Sequence, residues 1–253
     1  MRCIYCLEDS GAAKSVAHVI SEGIGQNDMV LPKGAVCDAC NHYIGHELES
    51  VLVAHPIISI AIQTLHLRGK GGKRRKKLGN VDRTIEKNGI TIPCEPPVAT
   101  TRDGVRRSTI RPLVDPSFDF QRFRRGLHHV ALNVVAYQDS VDRALDSSYD
   151  PIRSYVKRPK KGESWPFLQK VWPLLDTDTD VKLGLNVVDG SEVAGMKILC
   201  GAFFVALANP AVLRTVVDQS PELQLDHIDA DYRPAKQPKP GKKRYRVTIY
   251  VDE

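Results

Sequence analysis

Two cysteine pairs constrain the fold of this chain more than any other feature of its sequence. Cys3 and Cys6 form one Cys-x-x-Cys pair, and Cys37 and Cys40 form a second after 30 intervening residues. Four thiolates can close a tetrahedron around zinc, which makes a saturated, structural site. The spacer is longer than the roughly 15 to 20 residues of a zinc ribbon, so we expect the metal to clamp an inserted element. The alternative is four unrelated buried thiols.

Composition excludes several classes of protein. The 42% apolar content of the 253 residues excludes wholesale disorder. The longest apolar run, residues 198–208, is shorter than the roughly 20 residues of a membrane span, so we expect no membrane segment. Because Met1-Arg2-Cys3 opens directly into the first cysteine pair, we also expect no secretory leader. These features predict a cytoplasmic protein, in which closely spaced cysteines bind metal rather than form disulfides.

Charge divides the chain into three regions. Residues 1–64 carry three cations and seven acids, a net charge of −4, whereas residues 65–125 carry a net charge of +10 and residues 126–253 sum to zero. With the predicted elements, this division indicates a cysteine-bracketed module at residues 1–64, a basic linker with hairpins at 65–112 and an α+β domain at 113–253.

Cations beside a duplex displace condensed counterions, which gives strong, salt-dependent affinity. Seven cations fall within residues 68–77, and an arginine cluster spans residues 102–125. We therefore expect nucleic acid as a partner. The alternative is that this charge run is a solvated surface. The predicted contacts are Arg68, Lys70, Lys73, Arg74, Arg75, Lys76, Lys77, Arg106 and Arg107.

Apolar spacing predicts an α+β fold. Helical spacing runs from Asn41 to Pro56, and the longest predicted helix of the second half covers residues 120–137. The dipeptides Asn88-Gly89 and Asp103-Gly104 predict hairpins. Alternation predicts an antiparallel sheet that the 120–137 helix covers, with strands at residues 181–187, 197–207 and 244–251.

Two further motifs accompany the cysteine pairs. Ser15-Val-Ala-His18-Val-Ile-Ser-Glu22-Gly-Ile-Gly25 lies between the pairs, and Asn41-His-Tyr-Ile-Gly45-His46 follows the second. In this order the motifs resemble the zinc-clamped subgroup of the HNH endonucleases, which has a Cys-x-x-Cys pair, a strand ending in His-Val/Ile-Ile, a glycine loop and then Cys-x-x-Cys-Asn-x-x-x-Gly. The resemblance covers about the first 55 residues.

The resemblance implies a ββα-metal finger, in which a hairpin and a helix hold one divalent cation. His18 matches the general base that takes a proton from the attacking water, a role that histidine suits in general because free imidazole titrates near neutral pH. Asn41 matches the residue that holds the catalytic ion, Mg²⁺ or another divalent cation. His46 falls close to a final histidine ligand of some family members, and Glu22 is a further candidate ligand.

Ala17 departs from the family's pattern, because an acidic metal ligand usually stands directly before the base. The asparagine that supports the base in many members is also missing near Leu31. Three explanations stay open for Ala17: another residue binds the cation, the site is weakened or inactive, or the alanine is an engineered inactivating change. The candidate substitute ligands are Glu22, Asp28, His42 and His46.

Together these patterns predict a metal-dependent HNH endonuclease with a structural zinc ion. Its expected substrate is double-stranded DNA, and its expected setting is restriction or anti-phage defence. The alternative is a catalytically disabled HNH-like zinc module that binds nucleic acid or a protein partner. The C-terminal domain is expected to form a homodimer or to bind a protein partner.

Overall fold

The computed structural model of the protein describes residues 1–24, 28–55, 58–59, 61–62, 67, 84–86, 89–94, 98–102, 105–109, 118–171, 181–199, 201–219, 224–225 and 245–250. The predicted basic run at residues 68–77 lies outside these ranges.

An isolated antiparallel bridge and one long helix are the main elements of the cysteine-bracketed module. His18 pairs with Val30 in an antiparallel bridge. The helix consists of α1 (Asp38–Ile44), a π-helical turn (Gly45–Glu49) and α2 (Ser50–Ala54). It begins earlier than the predicted start at Asn41, because the Cys37 side chain accepts a hydrogen bond from the Cys40 amide and caps the first turn.

Helix α3 (Phe120–Gln138) is the central element of the second half. Thirteen of its 19 residues are buried, as expected of a helix covered on most sides. It contacts α2 and the π-helical turn as well as the strands of a sheet. At Gly126, an added Cβ would lie 2.8 Å from Leu52 Cγ, so only glycine lets α2 approach this closely. Three shorter helices follow, α4 (Val141–Ala144), α5 (Asp150–Lys157) and α6 (Val212–Gln219).

Two antiparallel sheets and a hairpin complete the described structure. The first sheet has the order β1-β2-β10 and the second β6-β7-β8-β5-β9, while β3 pairs with β4 alone. The strands are β1 (Thr84–Glu86), β2 (Gly89–Cys94), β3 (Val98–Arg102), β4 (Val105–Thr109), β5 (Leu168–Val171), β6 (Lys182–Val188), β7 (Ser191–Ile198), β8 (Gly201–Ala206), β9 (Gln224–Leu225) and β10 (Tyr245–Tyr250).

The structure confirms the α+β class and both predicted hairpins, where Glu86 pairs with Gly89 and Arg102 with Val105. One strand prediction and one sheet assignment were wrong. Residues 197–207 form parts of two strands, because Leu199 has a positive φ of 53° and the chain reverses there. Residues 245–250 pair with β2 rather than join the five-stranded sheet, since alternation identifies a strand but not its partner.

One cluster of buried apolar side chains runs from Cys3 in the cysteine-bracketed module through α3 to Leu207 after β8. The predicted boundary at residue 64 stays a prediction, and buried side chains on its two sides pack in the same cluster. Among the described helices, none combines the length and the apolar content that crossing a membrane requires.

His55 lies in an aromatic part of this core. It is 5% exposed, stacks on Phe123 at 4.2 Å between ring centroids and meets the edges of Phe118 and Phe203. Burial lowers the pKa of His55 to about 3. Burial also lowers the pKa of His128 to about 4 and of His129 to about 3.

We predict that replacing His55 by phenylalanine makes stability less dependent on pH. Below about pH 6.5 the unfolded histidine binds a proton and the folded one does not, so the wild-type protein loses stability as pH falls toward 3. His55 contributes up to about 1.4 kcal/mol per pH unit to this loss, and His55→Phe removes that contribution while keeping an aromatic ring. Urea unfolding of both proteins at several pH values measures the two slopes, and equal slopes would contradict the prediction.

Candidate functional site

The four predicted zinc ligands meet in one cluster. The sulfur atoms of Cys3, Cys6, Cys37 and Cys40 all lie within 4.8 Å of one another. A tight turn brings Cys3 and Cys6 together, with Leu7 at a φ of 63° and a hydrogen bond from the Leu7 amide to the Cys3 carbonyl. The start of α1 supplies the other two thiols. Such a cluster could hold a structural metal ion such as zinc.

The pKa values of the thiols suit metal binding. A hydrogen bond from Cys40 lowers the pKa of Cys3 to about 4. The same hydrogen bond, together with burial, raises the pKa of Cys40. The thiols thus compete for protons when no cation is bound, and a divalent cation would relieve that competition by stabilising several thiolates at once. Lys157 on α5 adds positive charge, because its Nζ donates to Cys40 Sγ at 3.2 Å.

A buried network centred on Asn133 connects the cluster to the candidate base. Asn133 lies on α3 and is fully buried. Its Nδ2 donates to the backbone carbonyls of His18 at 3.1 Å and Val19 at 3.2 Å. Its Oδ1 accepts a hydrogen bond from the Tyr5 hydroxyl at 2.6 Å. Since Tyr5 lies between Cys3 and Cys6, the Asn133 side chain contacts the cysteine turn through the Tyr5 hydroxyl and the backbone at His18 and Val19 directly.

A cavity of about 550 Å³ opens beside this network. Three residues predicted for catalysis or cation binding, His18, Asn41 and Glu22, line it together. His18 lies in the antiparallel bridge, where the Val19 amide donates to Met29 and the Leu31 amide to Ala17. Asn41 lies on α1. The other lining residues are Ser15, Val16, Ser21, Gly23, Gly45, Glu49, Ser50 and Val53.

Hydrogen bonds hold Asn41 in the cavity wall. Its Nδ2 donates to Ser15 Oγ at 3.1 Å, and Ser15 Oγ donates to Asp38 Oδ1 at 2.5 Å. Asp38 also accepts from the backbone amides of Lys14 and Ser15. The Ser15 hydroxyl and these amides lower the pKa of Asp38 to about 2.

Other predicted ligands lie away from the cavity. The His46 side chain is 76% exposed and pairs with Glu47, at 2.9 Å from Nδ1 to Oε1. It stacks on His42 at 6.4 Å between ring centroids. His42, His46 and Asp28 are all missing from the described residues that line the cavity.

Ala17 is 7% exposed and belongs to the apolar core. An acidic side chain at this position would therefore enter the core.

Glu49 was missed at the sequence level although it lines the cavity. Asn41, Gly45 and Glu49 recur at intervals of four, a spacing that places residues on one helical face and could have revealed Glu49. Asn133 carried no local signal, because it meets His18 across more than a hundred residues of chain.

The predicted basic contacts are only partly placed. Arg106 and Arg107 lie on β4, opposite Thr101 and Thr100 of β3. Arg125, a member of the predicted arginine cluster, is 8% exposed and donates to the Val156 carbonyl and the Tyr43 hydroxyl. Its guanidinium therefore serves the packing of α3 on α5 and α1, and its assignment to the basic surface was wrong.

We predict about one metal ion per chain, held by the four cysteines. Cys40→Ser should reduce the metal content several-fold and lower stability, because the remaining thiols no longer close a tetrahedral site. Elemental analysis and thermal unfolding of the purified protein measure both effects. Cys94→Ser serves as the control, since Cys94 lies outside both Cys-x-x-Cys pairs of the sequence. A wild-type metal content far below one ion per chain would contradict the prediction.

Comparison of the chain with protein-family models, with curated proteins and with solved structures gave no match in any of the three.

Proposed function

We propose that this protein is a metal-dependent endonuclease of the HNH type that hydrolyses phosphodiester bonds in double-stranded DNA. The observation that supports this most is the cavity shared by His18 and Asn41. It lies in a module where an antiparallel bridge falls between the two cysteine pairs and a helix begins at the second pair. We place the protein in the cytoplasm, with restriction or anti-phage defence as its setting.

The oxygen donors around this cavity suit a hard cation. Asn41 offers an amide oxygen, and Glu22 and Glu49 offer carboxylates. Mg²⁺ prefers such ligands and keeps several waters of its own. Bound there, a divalent cation would stabilise negative charge on the phosphate and on the leaving oxygen.

His18 acts as the general base in this proposal. It accepts a proton from a water molecule as that water attacks phosphorus, and the bond to the leaving oxygen then breaks. Asn133 supports this role by fixing the backbone at His18 and Val19, which limits how far the imidazole can move.

Glu49 takes over the task of the missing acid at position 17. Its helix also carries Asn41, so one rigid element presents both oxygen donors to the cavity.

Binding of DNA depends on the basic part of the chain. The cysteine-bracketed module carries a net charge of −4 and repels phosphate, so the cations of residues 68–77 with Arg106 and Arg107 supply the attraction. The C-terminal domain forms a homodimer or binds a protein partner.

A second function is favoured by one specific observation. Position 17 is an alanine packed in the core, so the segment that carries His18 offers no carboxylate directly before the base. A module without that ligand would bind nucleic acid or a partner without cutting.

We predict that the wild-type protein nicks or linearises plasmid DNA with Mg²⁺, Mn²⁺ or Ni²⁺. His18→Ala should reduce the rate by about 10²-fold or more, since it removes the base, and Glu49→Gln should reduce it by weakening the cation site. His46→Ala is the matched control, because it removes an exposed histidine that lies on the same helix outside the cavity, and it should leave the rate unchanged.

Cleavage by Ala17→Glu but not by the wild type would favour the second function, in which the module binds without cutting. If neither the wild type nor Ala17→Glu cuts DNA with any of the three metals, the proposal that this protein is an endonuclease is contradicted. Equal rates for the wild type and His18→Ala would contradict the assignment of the base.

We predict that replacing the seven cations of residues 68–77 by glutamine weakens DNA binding and flattens its salt dependence. Each lost phosphate contact should lower the slope of log affinity against log salt by about 0.9. Fluorescence anisotropy with a DNA duplex at several salt concentrations measures affinity and slope together. Lys160→Gln with Lys161→Gln, which removes two other exposed cations, is the control. An unchanged slope in the seven-fold variant would contradict the assignment.

A further inference from the structure

We infer that Ser15 and Asp38 are positioning residues, which fix the side-chain amide of Asn41 so that its oxygen is the atom available to a cation in the cavity. The inference rests on the proposed function. It adds two residues that orient a ligand of the cation but touch neither the cation nor the phosphate.

The Asp38 carboxylate is the fixed end of this chain of hydrogen bonds. Its Oδ1 accepts from the Ser15 amide at 2.8 Å and from the Ser15 hydroxyl at 2.5 Å. Both of its oxygens accept from the Lys14 amide, at 3.1 and 3.0 Å. Asp38 also stands in the first turn of α1, where a negative charge is favourable. It therefore has a defined orientation and accepts hydrogen bonds without donating any.

The number of protons available for hydrogen bonding determines which atom of the Asn41 amide faces Ser15. A serine hydroxyl has one proton to donate, and Ser15 donates it to Asp38. Ser15 Oγ can only accept from its other neighbour, which is the Asn41 side chain at 3.1 Å. The neighbouring atom must be the nitrogen Nδ2, because an amide oxygen there would face a second acceptor with no proton between them.

The orientation of Asn41 decides which ligand it offers. With Nδ2 held by Ser15, Oδ1 is the remaining amide atom, and an oxygen is what Mg²⁺ or Mn²⁺ binds. An amide without this partner would be free to rotate and to present its nitrogen, which repels a cation. Loss of a residue that orients a ligand typically weakens metal affinity by about 10- to 100-fold.

A purely structural role for the Ser15 hydroxyl predicts a different result for cation binding by Ser15→Ala. The backbone amides of Lys14 and Ser15 bind Asp38 with or without the hydroxyl, so the loop stays attached to α1 in Ser15→Ala. If attachment were its only task, cation binding would not change in that variant.

The experiment is a Mn²⁺ titration of the zinc-loaded full chain, with free Mn²⁺ followed by electron paramagnetic resonance. We expect Ser15→Ala to weaken Mn²⁺ binding about tenfold at an unchanged melting temperature, and Ser15→Thr, which keeps a hydroxyl, to restore it. In plasmid cleavage, Ser15→Ala should need more metal for half-maximal rate and keep the same KM for DNA. Ser50→Ala is the matched control, because Ser50 lines the same cavity but its hydroxyl donates to the His46 carbonyl.

Mn²⁺ binding by Ser15→Ala as tight as by the wild type overturns the inference and leaves the proposed function standing. An equal loss in Ser50→Ala also overturns it, because the effect would then belong to the cavity in general. A wild-type protein that neither binds Mn²⁺ at the cavity nor cuts DNA overturns the proposed function and this inference together.

Discussion

The buried amide of Asn133 is the contact on which the arrangement of the candidate site depends. It donates to the carbonyls of His18 and Val19 and accepts from the Tyr5 hydroxyl. Without it, the carbonyls of His18 and Val19 would lose this donor, and the Tyr5 hydroxyl would keep only the His129 carbonyl as an acceptor. A buried polar group left without a partner costs about 1–3 kcal/mol. Since Asn133 lies on the central helix α3, the cysteine turn and the strand of His18 are fixed to the same rigid element.

A second set of contacts joins the cysteine cluster to α5. Arg153 is buried and donates to the Ile4 carbonyl at 2.8 Å, within the turn that presents Cys3 and Cys6. Lys157 on the same helix donates to Cys40. Positive charge and backbone support thus reach the thiols from outside the cysteine-bracketed module, so a metal ion there would stabilise the packing of α5 as well as the module itself.

The described structure separates soft ligands from hard ones. Four thiols form the cluster, while amide and carboxylate groups line the cavity with His18. Thiolates select zinc, whereas oxygen donors suit Mg²⁺ or Mn²⁺, so two ions of different kinds could bind without exchanging places. In the proposed function the carboxylate for the second ion comes from Glu49 or Glu22, which line the cavity, because position 17 before His18 is an alanine.

The sequence by itself determined the local features, which were the cysteine spacing, the 120–137 helix, the two hairpins and the candidate roles of His18 and Asn41. Each of these is encoded within a few residues, by turn dipeptides, apolar periodicity or short motifs. Tertiary structure alone decided which groups meet. It brought Asn133 and Lys157 to the module, placed Glu49 in the cavity and His46 outside it, turned Arg125 inward and paired β10 with β2. Such contacts depend on how elements distant in the chain pack, and local patterns carry no record of that packing.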